Sequence, residues 1–135
     1  MTTPTPDDRY RSGLTRMHQM GGTKATSEFL DALASIAPDL GRYVVEFLYG
    51  DLYQRPGLDP RDRQLITLAT LAALGGCERQ LALHIGVALY IGISPDTVIE
   101  LFIHQSGYAG FPRALNAVIT ARDVLTDPSA HPEQL

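Results

Sequence analysis

Residues 59–76 read DPRDRQLITLATLAALGG, a pattern that spells a buried helix from cap to stop. Asp59 is a favoured N-cap, Pro60 suits the first helical position, and Asp62 puts negative charge where the helix dipole is positive. Leu65, Ile66, Leu68, Ala69, Leu71, Ala72 and Leu74 then leave almost no polar face before Gly75-Gly76 end the run. A helix that is apolar nearly all round belongs in a core or an interface.

The pattern continues in both directions. A helix carrying Cys77 follows and ends at Gly92; Ser94-Pro95 repeats the cap-plus-proline device and opens a helix through Val98, Leu101, Phe102 and Tyr108. Pro112 begins the last helix, with Leu115, Val118, Ala121 and Leu125 as its apolar side. Upstream, residues 10–20 form a short helix ended by Gly21-Gly22, and Thr26 or Ser27 caps a second with Phe29, Leu30, Leu33 and Ile36 on one side. Pro38 restarts the path, and Leu40, Tyr43, Val44, Phe47 and Leu48 extend an apolar face to Gly50. No stretch shows the period-two alternation of a strand. The expectation is an all-α fold of helical hairpins, a single domain over residues 9–126 between loose tails at 1–8 and 127–135.

Bulk composition narrows the class. The chain has 135 residues, 44% of them hydrophobic and 19% charged, as expected of a globular protein. A net charge of −4 provides no basic footprint for nucleic acid. There is no apolar run of the roughly 20 residues needed to span a membrane, and the first residues lack a secretory h-region. The single cysteine excludes an intramolecular disulfide framework. A cytoplasmic protein is expected. Two neighbouring helices that are apolar on most faces suggest, further, that part of this surface meets a second copy.

Cys77, Gln80 and His84 stand at i, i+3 and i+7 of one expected helix, within about 60° of one another at about 100° per residue. A thiol, an amide and an imidazole then share one stripe of an apolar helix, where polar groups need partners. No cluster of histidines and carboxylates has metal-ligand spacing, so no metal is expected.

Arg9-Tyr10 with Gly13, Arg55-Pro56-Gly57-Leu58-Asp59, Ala72-Ala73-Leu74-Gly75, Leu83-His84, Gly92-Ile93-Ser94 and Tyr108-Ala109-Gly110-Phe111-Pro112 occur in an order and spacing that resemble the carboxymuconolactone decarboxylase family. The resemblance implies a helical fold of the alkylhydroperoxidase D/carboxymuconolactone decarboxylase type, a ring-like homo-oligomer (a trimer or hexamer), and a reaction without cofactor. In the alkylhydroperoxidase branch a second cysteine and a glutamate complete the site. Here those places hold Gln80 and, in the region of the glutamate, Gln64, so thiol-dependent peroxidase chemistry lacks its resolving thiol and base. The decarboxylases usually carry Asn-Asn before the helix-ending glycine, where this chain has Tyr90-Ile91.

The implied reaction is decarboxylation of gamma-carboxymuconolactone or a related lactone acid in aromatic degradation. Loss of carbon dioxide leaves an electron pair that delocalises onto the lactone carbonyl oxygen, so the protein must stabilise that oxygen and let a carbon be protonated. His84 is the candidate proton donor, or the donor of the hydrogen bond to the oxyanion. Asp51 is the candidate to orient a histidine, and Tyr108 a further catalytic donor. Arg55 is placed to anchor a carboxylate; Cys77, Gln80 and His104 are candidate substrate contacts. Each has an ordinary reading too: a satisfied core histidine, a solvated turn arginine, a packed tyrosine, or a surface pair between His104 and Glu100. Three other functions compete with the decarboxylase. One is the same scaffold reused as a cofactor-free isomerase or cyclase in a specialised biosynthetic pathway. The others are a non-catalytic ligand-binding oligomer and, last, the peroxidase.

Overall fold

The computed structural model describes residues 2–127, and every regular element among them is helical. The chain divides into two compact units between Asp59 and Pro60.

In the first unit, helix α1 runs Pro6–Ala34. It starts inside the expected N-terminal tail because Thr5 and Asp8 form a reciprocal capping box: the Asp8 amide donates to the Thr5 hydroxyl at 3.1 Å, and the Thr5 amide donates to the Asp8 carboxylate at 3.2 Å. The expected interruption at Gly21-Gly22 is present as a break within α1. Gly22 has φ 85° and ψ 165°, a conformation open to glycine, and helix resumes at once, ahead of the expected cap at Thr26 or Ser27. The Thr26 hydroxyl instead donates back to the Gly22 carbonyl at 2.9 Å.

Helix α2 (Pro38–Tyr43) runs into a π-helical segment, Val44–Tyr49, in which the Gly50 amide reaches the Val45 carbonyl five residues back at 2.8 Å. Gly41, Val45 and Tyr49 are buried, while Leu40, Tyr43 and Phe47, expected on the inner face, are exposed. Gly13 of α1 lies so close to the π segment that a Cβ there would overlap the Val45 carbonyl. A 3₁₀ turn (Leu52–Gln54) follows, Tyr53 stacks on Tyr49 with ring centroids 4.7 Å apart, and the Gln54 amide donates to the Ser12 and Tyr49 carbonyls.

The second unit holds helices α3 (Pro60–Leu74), α4 (Glu78–Tyr90), α5 (Pro95–Ala109) and α6 (Phe111–Thr126). Its core joins Leu68 and Ala72 of α3 to Leu81, Ile85 and Ala88 of α4, Val98 and Phe102 of α5, and Ala117, Ala121 and Val124 of α6. The Ser94 hydroxyl caps α5 by accepting the Thr97 amide at 3.1 Å, as the sequence device predicts. Helix α6 buries Ala114, Ala117, Ala121 and Val124, whereas Leu115 is exposed. Alanines let α6 approach its neighbours closely, and the larger Leu115 is left on the outer side. Helix α3 has one wet side as well: Ile66 and Leu74 are exposed although the sequence reads as apolar all round. No helix among the described residues is long and apolar enough to cross a membrane. Of the expected C-terminal tail, Asp127 caps α6 and the remainder lies outside the described residues.

Candidate functional site

Helix α4 begins at Glu78, and Cys77 is its non-helical N-cap (φ −114°, ψ 30°). The expected single stripe of Cys77, Gln80 and His84 is therefore broken at its first member. Cys77 is partly buried in a small crevice with Glu78, Leu81, Arg113 and Asn116, and Gln80 is exposed. The cause is the pair Gly75-Gly76, both at positive φ (68° and 72°), which turns the chain so that helix starts one residue late.

His84 points to the best-defined polar contact of the second unit. Gln64, on the buried stripe of α3 with Leu68 and Ala72, is fully buried. Its amide nitrogen donates to the His84 carbonyl at 2.8 Å and lies 3.2 Å from the same residue's ring Nδ1. The Gln64 Oε1 is buried and has no partner among the described residues. The imidazole is partly buried, and burial pushes its pKa from 6.5 down to about 4, so the ring is neutral across the physiological range. The sequence offered two clues to Gln64: its place in the region of the alkylhydroperoxidase glutamate, and a lone amide among positions 64, 68 and 72 of an otherwise apolar period.

Helices α3 and α5 also border an open groove of about 980 Å³, lined by Leu65, Ala69, Leu101, His104, Gln105 and Tyr108 among others. His84 does not line it. His104 and Tyr108 meet here with ring centroids 5.3 Å apart, so the neighbour of His104 is the tyrosine one turn on. Gln105 is buried, donates from Nε2 to the Ala69 carbonyl, and its Oε1 has no partner among the described residues.

Asp51 and Arg55 belong to the first unit. The Asp51 carboxylate is held in a fork by Arg9, with distances of 2.7 Å and 3.1 Å, so its partner is an arginine where a histidine was expected. That hydrogen bond, more than the charge itself, raises the pKa of the Arg9 guanidinium. Arg55 is exposed and follows the 3₁₀ turn, its amide bonded to the Leu52 carbonyl at 3.2 Å. Among the described residues no three of His, Cys, Asp and Glu converge as metal ligands would.

Comparison with known proteins adds to this geometry. A family model described as the carboxymuconolactone decarboxylase family matches residues 38–123. The 4-carboxymuconolactone decarboxylase of Acinetobacter baylyi is 33% identical over 129 residues, 96% of each chain. A nitrosuccinic acid decarboxylase of Metarhizium robertsii is 30% identical over 84 residues, 62% of this chain and 58% of that one. An uncharacterized 15.0 kDa protein of Paracoccus denitrificans is 26% identical over 97 residues. With a family model matched over residues 38–123 and a relative aligned along nearly the whole sequence, the chain belongs to the carboxymuconolactone decarboxylase family.

Proposed function

We propose that this protein is a decarboxylase acting, without a cofactor, on gamma-carboxymuconolactone or a related lactone acid. The observation that carries the reading is the likeness to the Acinetobacter decarboxylase along 96% of both chains. The second decarboxylase relative supports the reaction class and widens the range of acids. A nitro group and an unsaturated lactone share one chemical property: each accepts the electron pair left when a neighbouring carboxylate departs.

In the proposed reaction the C–C bond to the carboxylate breaks, carbon dioxide leaves, and the bonding pair moves through the double bond onto the lactone carbonyl oxygen. A proton then returns to carbon. His84 is assigned to the oxygen where charge collects, because a donor fixed on a packed helix needs no reorganisation as the charge forms. Arg55, in the first unit, keeps only the role that the family resemblance implies, a carboxylate anchor with a planar fork. Tyr108 and His104 pair in the α3–α5 groove, which His84 does not line, and Cys77 lies in a separate small crevice with Gln80 exposed, so none of these four is assigned a contact beside His84. Asp51, committed to Arg9, is assigned to holding α1 in its unit rather than to orienting a histidine.

The test is incubation of the purified protein with gamma-carboxymuconolactone and, separately, with nitrosuccinic acid, reading carbon dioxide release and product mass. Release from the lactone supports the proposal. Turnover of nitrosuccinic acid alone keeps the reaction class and removes the lactone. A product of unchanged mass would place the scaffold among cofactor-free isomerases, and inert substrates would overturn the enzymatic reading.

A further inference from the structure

We infer that Gln64 is a positioning residue that holds His84 as a neutral imidazole with its proton on Nε2, so that the ring meets a bound acid as a hydrogen-bond donor and not as a proton-releasing imidazolium. The catalytic half of this inference rests on the decarboxylase reading above; the tautomer does not.

With Nδ1 facing Gln64, the hydrogen bonds leave one assignment. The Gln64 amide atom 2.8 Å from the His84 carbonyl oxygen has to be the nitrogen, since an oxygen there would set two acceptors face to face. Turning the amide over would also leave two N–H groups, instead of one oxygen, in the buried place where Oε1 now has no partner. The same nitrogen stands 3.2 Å from Nδ1. An amide nitrogen donates and does not accept, so Nδ1 must offer its lone pair and the ring proton must be on Nε2. An imidazolium would press an N–H against an N–H.

Burial, which lowers the ring's pKa to about 4, acts in the same direction. Its cause is not a nearby charge on any helix packed against α4: neither Asp62 and Arg63 on α3, Glu100 and His104 on α5, nor Arg113 and Asp123 on α6, nor Glu78 and Arg79 on α4 itself. A buried donor of this kind, in the role of an oxyanion-hole hydrogen bond, contributes roughly 100- to 1,000-fold in rate. The proton that quenches the carbanion then has a different source from His84.

The experiment is ¹⁵N NMR of the full chain with labelled histidine, the His84 signals being assigned by their loss in His84→Gln. The expected result is a ring protonated at Nε2 and bare at Nδ1, unchanged between pH 8 and pH 5. In Gln64→Glu a carboxylate accepts from Nδ1, so the proton should move to Nδ1 and the ring's pKa rise by about one to three units. Turnover by that variant should fall and become pH-dependent through the histidine range. A wild-type ring protonated at Nδ1, or charged at pH 7, overturns the inference even if Gln64→Glu fails to fold. An Nε2-protonated ring in a protein that leaves lactone and nitro acid untouched upholds the tautomer and overturns the decarboxylase reading.

Discussion

At the scale of single residues, the Gln64–His84 contact divides its labour between backbone and side chain. One bond goes to the His84 carbonyl, which any residue at position 84 would supply; the other goes to the imidazole. His84→Ala should therefore retain helix α4 and its packing while removing the ring. We expect an unchanged far-ultraviolet circular dichroism spectrum together with a fall of about 100- to 1,000-fold in kcat for carbon dioxide release. A variant that keeps wild-type turnover would remove His84 from the chemistry. The histidine was legible in the sequence because an imidazole on an apolar helix face is conspicuous. Its partner's place was legible through the resemblance, in the region of the alkylhydroperoxidase glutamate, but the contact was not, because a glutamine on a different helix shows its partner only when the two helices pack.

At the scale of elements, legibility followed the strength of local signals. Ser94-Pro95 announces α5, and the hydroxyl does cap it; Ser94→Ala should cost about 1 kcal/mol, read as a lower urea midpoint with an unchanged slope. The buried face of α6 was read in part: Ala121 and Val118 were named and do pack, but Ala114 and Ala117 were passed over because alanine counts weakly in a hydrophobic pattern, and the larger, exposed Leu115 was named in their place. The π segment was out of reach altogether, since a periodicity of 3.6 presumes the winding that this segment abandons. Its fit against α1 depends on Gly13. Gly13→Ala forces a methyl into the Val45 carbonyl, and the expected loss of about 1–3 kcal/mol in unfolding free energy measures how little that contact can give. A neutral substitution would mean that the two helices can part without cost.

At the scale of the whole molecule, exposed apolar surface and the buried histidine make separate predictions. Tyr108, Phe111, Leu74 and Leu115 are each at least 60% exposed, and side chains of this size call for cover. The self-association proposed from the sequence would be read as a mass above the 14.7 kDa of one chain in light scattering, and a mass of one chain would overturn it. The second prediction concerns acid. In the unfolded chain His84 titrates near 6.5; in the folded protein burial lowers it to about 4. Between those values the unfolded chain takes up a proton that the folded one refuses, so stability is complete above pH 6.5 and declines as the pH falls towards 4. The decline attributable to this ring is at most about 3 kcal/mol, of which about 2 kcal/mol is reached by pH 5. Urea unfolding at pH 7.5 and pH 5 should show that loss in the wild type and a smaller one in His84→Gln, which has no proton to gain. Equal losses in the two proteins would mean that the ring is hydrated in the folded state, and a hydrated imidazole would lack the low-dielectric setting on which its strength as a donor depends.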